Sequence, residues 1–313
     1  MRKLILSLFV SVIIGSGSFV QGQTTYNFLR LDVDARSASL AGSFVSMTND
    51  INGIFYNPSS LTTLESPRAS VGFFKYLMDI NSGNAAFGLK YKNLGYFGVG
   101  IRYINYGTFD KYDENYVNVG TFSANDFAIN LSYANIYLDH ISYGISFKFI
   151  TSKYDEYSSS AIAGDFGLLY NIPQIDLSLG VSFLNLGYQI SNYINTRENL
   201  PSDLRIGLSK KLEHLPLTVH IGFSRLNDET DKFFQRFKNV IVGGEFNLSE
   251  NFDLRLGYNN QIRQDLKTGT TLGLSGFSAG LGFKYDRYSL DYSYNSLGKI
   301  GATHRFNIGY IWK

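Results

Sequence analysis

Hydrophobic and polar residues alternate with a period of two from about residue 68 to the C-terminus. In residues 175–183 every second position is Ile, Leu, Val or Phe, and the positions between hold Asp, Ser or Gly. Such alternation is typical of a β-strand with one apolar and one polar face. Fourteen segments of this kind are centred near Val71, Phe87, Val99, Ile129, Ile145, Phe166, Leu179, Ile206, Val219, Val242, Leu254, Leu281, Leu290 and Ile308. The pattern therefore predicts an all-β chain.

The connections between these predicted strands alternate in length. Residues 92–94 and 249–251 are short connections, whereas 106–123 and 191–200 are long ones. Outer-membrane barrels have short periplasmic turns and long outer loops. The long stretch 106–123 is therefore a predicted outer loop, and its candidates for contact with partner molecules are Asp110, Lys111, Tyr112, Asp113 and Glu114.

Two architectures accommodate this many amphipathic strands. A soluble sandwich or barrel would turn its apolar faces inward, whereas a membrane barrel turns them toward lipid. The polar faces hold mostly Gly, Ser, Asn and Ala, which suit a wet outer surface poorly, and Tyr and Phe are frequent near strand ends. We therefore expect a transmembrane antiparallel β-barrel of about 14 strands over residues 68–313, preceded by an N-terminal plug.

Residues 1–22 have the three parts of a secretory signal peptide. Arg2 and Lys3 form a basic start, an apolar run follows, and Gly22 precedes the expected cut at Gln23. The alternative is an anchor helix, which needs about 20 apolar residues, but Gly and Ser at 15–18 interrupt the run. We expect export with cleavage, and residence in the outer membrane of a Gram-negative cell.

Composition narrows the possible functions. The chain has no cysteine, 16% aromatic residues and a net charge of +2, and removal of the signal peptide leaves 26 positive and 26 negative residues. Because positive and negative charges are balanced, the chain has no strong positive electrostatic field that would attract nucleic acid. The four histidines, His140, His214, His220 and His304, do not have metal-ligand spacing, and no nucleophile motif is present. We expect no enzyme activity, no metal and no cofactor.

Residues 23–67 do not alternate, so we expect a plug inside the barrel; a loose periplasmic extension is the alternative. Glycine recurs on the predicted lumen face, for example at Gly98, Gly144 and Gly257. Glycine within a strand marks a bend or a second backbone close by. Both explanations are open from the sequence.

Two stretches of this segment resemble a known family. Residues 35–44, ARSASLAGSF, and 50–61, DINGIFYNPSSL, are similar to the plug motif of FadL-like barrels, with Ser39, Ala41 and Ser59 as small-for-small departures. The motif residues are Arg36, Gly42, Asp50, Asn57 and Pro58, for which a structural role is expected. The fuller resemblance, with 26–29, 107–109 and 120–126, is to the PorV/PorQ branch.

The PorV/PorQ resemblance implies a docking component of the type IX protein secretion system. Its partners would be outer-membrane lipid and secretion-system proteins or the C-terminal domains of secreted cargo. The broader FadL resemblance implies uptake of hydrophobic small molecules through a pocket between plug and wall. Such a pocket needs large apolar residues facing inward, and the predicted lumen faces are mostly small or polar. Docking is therefore the favoured hypothesis, and transport the alternative.

Charged residues on the predicted lumen face have two interpretations. They pair with one another and with Arg36 and Asp50 of the plug, or they form a conduit that sets ion preference. Because the signs are mixed, pairing is favoured. The residues concerned are Lys90, Arg102, Lys148, Asp165, Arg205, Glu245, Asp253, Arg255 and Asp291.

Overall fold

The structure, a computed structural model, describes residues 24–76, 79–228, 233–266 and 273–312. The expected signal peptide lies outside these residues. Fourteen strands form between Arg68 and Ile311. Their bounds are β1 Arg68–Lys75, β2 Asn81–Tyr91, β3 Gly95–Tyr112, β4 Asn118–Leu138, β5 Ile141–Tyr154, β6 Tyr157–Ile172, β7 Leu177–Ser191, β8 Asp203–Lys211, β9 Leu217–Phe223, β10 Val240–Asn247, β11 Phe252–Asn259, β12 Phe277–Tyr285, β13 Tyr288–Ser296 and β14 Ala302–Ile311.

The strands form one closed antiparallel barrel in which each pairs with its neighbours in sequence. Strand β14 closes the barrel against β1, and Val71 lies opposite Ile308 in that pairing. Each predicted strand centre falls within an observed strand, so the prediction of a 14-strand barrel is confirmed. Because the barrel is closed, the wall has no free sheet edge, and its backbone N–H and C=O groups form hydrogen bonds between neighbouring strands. Lipid could not supply those hydrogen bonds.

The apolar face of the wall points outward. Val71, Leu131, Phe166 and Phe306 are each more than half exposed, whereas lumen-facing Asn130 and Ser293 are fully buried. A soluble sandwich would show the opposite pattern, so that alternative is wrong. Because the exposed belt is apolar, the medium that it suits is the acyl region of a membrane.

Short helices flank and connect the strands. Four belong to residues 24–67: 3₁₀ helices at Asn27–Arg30, Ile51–Phe55 and Pro58–Thr63, and α1 at Ala35–Ser39. The others are α2, Asn260–Asp265, and 3₁₀ helices at Pro173–Ile175, Phe233–Lys238 and Gly298–Ile300. Within the described residues, no helix is both long enough and apolar enough to cross a bilayer.

Residues 24–67, called the inner segment from here on, lie against the lumen side of the wall. A side chain added at Gly144 would meet the backbone of Pro58 and Ser59, and one at Gly257 would meet the backbone of 39–41. These wall glycines therefore make room for a second backbone. Whether the inner segment closes the lumen as a plug stays a prediction.

The predicted outer loop at 106–123 is instead mostly strand. Beyond Asn105 and before Ala124, β3 and β4 pair with each other across residues 108–112 and 118–123. The pairing of β2 with β3 ends at Asn105 of β3, and the pairing of β5 with β4 ends at Ala124 of β4. The two strands thus continue as a two-stranded ribbon, called the outer ribbon. Cross-strand stacking of Phe109 on Phe122, with ring centroids 5.3 Å apart, stabilises it.

Candidate functional site

The inner segment is anchored by a capped helix. Asp34 precedes α1, and its carboxylate accepts hydrogen bonds from the backbone N–H groups of Arg36 and Ser37 at 3.0 and 3.4 Å. The Ser37 hydroxyl accepts one in return from the Asp34 backbone, which completes a capping box. The chain turns after α1 at Gly42, where φ is +85° and where a side chain would meet the Asp32 carboxylate.

Helix α1 directs Arg36 into a network of buried charges. Its guanidinium lies 2.9 Å from the carboxylate of Asp50 and 2.8 Å from that of Glu245 on β10. Glu245 in turn lies 2.6 Å from Arg255 on β11. Arg255 also contacts the carboxylates of Asp253 and Asp291. Six of the charges expected in the plug and the lumen, two positive and four negative, are therefore brought together in one ion-pair network. Lys284, whose ammonium lies 2.7 Å from Asp253, adds a third positive charge.

The Asn57–Pro58 step holds the inner segment to the other side of the lumen. The Asn57 amide donates to the carbonyls of Val45 at 2.8 Å and Leu168 of β6 at 3.0 Å. Its side-chain oxygen accepts from the backbone N–H of Ser59 at 3.1 Å and so caps the helix that Pro58 begins. The buried Asn57 side chain therefore holds two parts of the inner segment together and also attaches the segment to the wall.

The remaining predicted lumen charges occupy separate places. Arg102 is buried and donates to the carbonyls of Phe28, Leu29 and Leu31 at 2.7–2.9 Å, at the end of the first helix. The Lys148 ammonium lies 2.9 Å from Asp165 within the lumen. The side chain of Lys90 is exposed, with its Nζ 5.5 Å from the ring of Tyr96.

A cavity of about 410 Å³ opens between the inner segment and the wall. Its wall residues stand where strands meet the longer connections, for example at Tyr76, Ser224 and Leu297. By the sidedness of outer-membrane barrels, this is the outer mouth. The apolar part of the lining consists of Leu31, Ala41, Ile241, Ile262, Leu266 and Leu297. We call this space the mouth cavity.

Four arginines line the mouth cavity, and two of them are neutralised. Arg205 lies 2.6 Å from Asp203, and Arg225 lies 2.6 Å from Asp228. Within the described part of the chain, the buried Nε atoms of the other two, Arg30 and Arg305, have no hydrogen-bond partner. Arg30 and Arg305 line the cavity, and neither forms a salt bridge within the described residues, so their guanidinium groups favour a ligand that accepts hydrogen bonds.

The arginines of the cavity are held in place by different means. The Arg305 guanidinium lies 4.2 Å from the centre of the Phe74 ring and donates to Asn295 and Thr303. Arg30 reaches the carbonyl of Ser202 at 3.5 Å. Burial raises the pKa of the Asp32 carboxyl, which also lines the cavity, while Arg305 and Arg205 oppose that rise.

The sequence indicates only part of this site. It predicts Arg205 as a lumen charge and Gly42 as a motif residue, but it does not indicate Arg30, Asp32, Arg225 or Arg305. Arg305 shares the polar face of β14, which was a usable signal. The other three lie in segments without alternation, where the sequence gives no direction for a side chain.

The other predicted residues lie away from the mouth cavity. On the outer ribbon, Lys111 pairs with Asp155 of the β5–β6 turn, and Tyr112 is 56% exposed. Asp110, Asp113 and Glu114 are exposed beside them. His220 is buried in the lumen, and its Nδ1 lies 2.8 Å from the Ser209 hydroxyl.

Solved structures share this architecture at low identity. The toluene transporter TbuX of Ralstonia pickettii has a TM-score of 0.59 and 12% identity, over 91% of this chain and 99% of its own. The toluene transporter TodX of Pseudomonas putida gives 0.59 and 12%, over 90% and 98%. A FadL homologue of Pseudomonas aeruginosa gives 0.56 and 10%, over 90% and 98%. Neither a protein-family model nor a curated protein matches the chain.

These similarities define the class of protein. The chain is a closed 14-strand β-barrel of the kind found in Gram-negative outer membranes. Its fold is that of the FadL-type barrels, and identities of this size show the fold alone.

Proposed function

We propose that this barrel takes up a hydrophobic small molecule that carries a hydrogen-bond-accepting group, and that it does so without enzymatic chemistry. The observation that carries the proposal is the mouth cavity, at about 410 Å³. Ligand sites commonly have volumes of roughly 300–1,000 Å³, with an apolar lining and a few polar groups. The toluene transporters among the structural neighbours favour transport over the docking role that the sequence suggested.

Two parts of the mouth cavity would select the ligand. The apolar lining from Leu31, Ile241 and Leu297 removes a hydrocarbon or aromatic body from water. Arg30 and Arg305, which also line the cavity, supply guanidinium groups for an acceptor on that body. The inward-facing strand residues alone do not indicate this pocket, because the inner segment and α2 contribute much of its apolar surface.

A binding experiment tests the proposal. Purified barrel in detergent is equilibrated with radiolabelled phenylacetate and, separately, with radiolabelled toluene. We expect phenylacetate to bind more tightly, because its carboxylate can pair with the guanidinium groups of Arg30 and Arg305 that line the cavity. Ile241→Trp, which fills the cavity, should weaken binding about tenfold or more. Val242→Trp is the matched control, since the neighbouring residue faces outward and is 39% exposed.

The corresponding uptake experiment uses whole cells. A strain that lacks the gene and carries the Ile241→Trp variant should accumulate the labelled compound as slowly as the deletion strain. The Val242→Trp variant should restore uptake. Transport is the wrong function if both variants restore uptake equally and the purified wild-type barrel binds neither compound.

Docking in the manner of the PorV/PorQ resemblance is a second candidate, which the outer ribbon favours. The outer ribbon extends beyond the barrel wall. At its tip, Tyr116 is 89% exposed and Val117 is 57% exposed. Secretion-system proteins or cargo C-terminal domains would be the partners. Replacement of 109–121 by a Gly-Ser linker should then abolish surface display of cargo and leave ligand binding unchanged. Normal display in that strain would argue against docking.

A further inference from the structure

The outer face of strands β2 to β6 carries an apolar groove of about 610 Å³. This wall groove is lined on the lipid side by Phe97, Val99, Leu131, Ile145, Phe147 and Phe166. Phe166 is 57% exposed and Leu131 is 55% exposed, so both project into the acyl region of the membrane. The groove is separate from the mouth cavity, with which it shares no lining residue.

Strand register explains why the wall is concave here. One row of paired residues crosses the strands from β2 to β6. In it, Val99 of β3 lies between Phe87 of β2 and Leu131 of β4. The row continues with Phe147 of β5, which lies opposite Gly164 of β6. A short β-branched residue and a glycine therefore interrupt a row of large side chains. Gly98, Ser132 and Ser146 contribute the floor. The result is a depression between aromatic side chains rather than a flat apolar surface.

The floor of the groove is closed toward the lumen. Strand pairing runs without a register shift from Gly98 through Ser132 and Ser146 to Asp165. On the lumen side the hydroxyls of Ser132 and Ser146 lie 2.7 Å apart, and Gly98 lies against Leu61 of the inner segment. An occupant must therefore enter from the membrane and remain on the membrane side.

One end of the groove carries polar groups. Leu89 lines the groove just before the short β2–β3 turn. Across from it, the Tyr133 hydroxyl donates to the carbonyl of Leu94 at 2.9 Å. Lys92 stands at the tip of the turn, with its Nζ 5.5 Å from the Tyr91 ring. Short turns mark the periplasmic end of such barrels, so the polar end lies at the periplasmic interface.

We propose that the wall groove is a binding site for one phospholipid of the periplasmic leaflet, with an acyl chain in the groove and the phosphate beside Lys92. A flexible chain fills the depression and makes dispersion contacts that a void would lose. The lysine ammonium suits a phosphate group, and an aromatic residue such as Tyr133 suits the level of the membrane interface. The wall thereby has one specific lipid position within an otherwise general lipid-facing surface.

Native mass spectrometry of the full-length barrel, purified in mild detergent, tests the proposal. We expect the wild-type barrel to retain one phospholipid. Val99→Trp fills the groove and should lower retention about tenfold, which corresponds to about 1.4 kcal/mol. Val71→Trp is the matched control, because Val71 is a 61% exposed valine on the lipid side of β1 and lies outside the groove. This control should retain lipid as the wild type does.

Two further variants keep the proposal falsifiable. Leu131→Trp fills the same groove from β4 and replaces Val99→Trp if that protein does not fold. Lys92→Gln should weaken retention of added phosphatidylglycerol while leaving the barrel folded. A wild-type barrel without retained phospholipid, equal retention by the groove and control variants, or no effect of Lys92→Gln would overturn the assignment.

Discussion

Arg36 of the inner segment and Glu245 of β10 form a two-pronged ion pair inside the lumen. Nε of Arg36 donates to one carboxylate oxygen at 2.9 Å, and Nη2 donates to the other at 2.8 Å. The two residues are 209 positions apart in sequence. This pair therefore connects the first folded segment to a strand in the last third of the barrel.

Removal of one partner from this pair should destabilise the protein. Arg36→Ala leaves the Glu245 carboxylate, 6% exposed, with only Arg255 to neutralise it. Breaking a buried pair typically costs about 3–5 kcal/mol. The measurement is the urea midpoint of the barrel in detergent, followed by tryptophan fluorescence. Lys111→Ala, which breaks the exposed pair with Asp155, is the control and should leave the midpoint unchanged.

Asn57→Ala should loosen the inner segment from the wall. The substitution leaves the buried carbonyls of Val45 and Leu168 without their donor and removes the cap of the following helix. Unsatisfied buried groups cost about 1–3 kcal/mol each, so we expect a loss of that order or larger. Protease cleavage within 24–67 of the folded barrel measures the effect. Cleavage at the wild-type rate would contradict this role of Asn57; Asn93→Ala, in an exposed turn, is the control.

Two wall glycines should respond differently to alanine. A Cβ at Gly144 would collide with the backbone of Pro58 and Ser59, whereas the nearest atom to a Cβ at Gly164 is 3.6 Å away. Gly144→Ala should therefore cost about 1–3 kcal/mol by overpacking, and Gly164→Ala should be close to neutral. The temperature at which the barrel loses its folded gel mobility compares them. Equal shifts would mean that the inner segment does not press on the wall at Gly144.

The stability of the inner segment should depend on pH through Asp34. Burial, with the nearby Asp50 carboxylate, raises the pKa of Asp34 to about 7. A carboxyl whose pKa is raised on folding favours the folded state most at low pH, and that advantage is lost as the pH rises from about 4 to 7. Asp34→Asn keeps an N-cap of similar quality and removes the charge.

The urea midpoints of wild type and Asp34→Asn at pH 5 and pH 8 provide the measurement. The wild-type midpoint should fall between the two pH values, and the fall should be smaller in Asp34→Asn. Asp110→Asn, on the exposed outer ribbon, should show the wild-type fall. An equal fall in all three proteins would assign the pH dependence to other groups.

The sequence alone determined the barrel. Period-two alternation is a local property, so each strand near centres such as Leu179 or Ile308 is visible without knowledge of its neighbours. Glycines at 98, 144 and 257 also carried a signal for close backbone approach. The prediction of a loop for the outer ribbon is wrong: the stretch between Tyr106 and Ser123 is rich in charge, but Phe109 and Phe122 continue the strands.

The tertiary structure alone decided which residues meet. Arg36 pairs with Glu245, Arg102 donates to three carbonyls at the end of the first helix, and Arg30 and Arg305 line one cavity from opposite ends of the chain. These partners are set by barrel closure and by the path of a segment that has no alternation of its own. Local hydrophobic patterning fixes the direction of a side chain within a strand, but a pairing across the lumen depends on where the whole wall brings each strand.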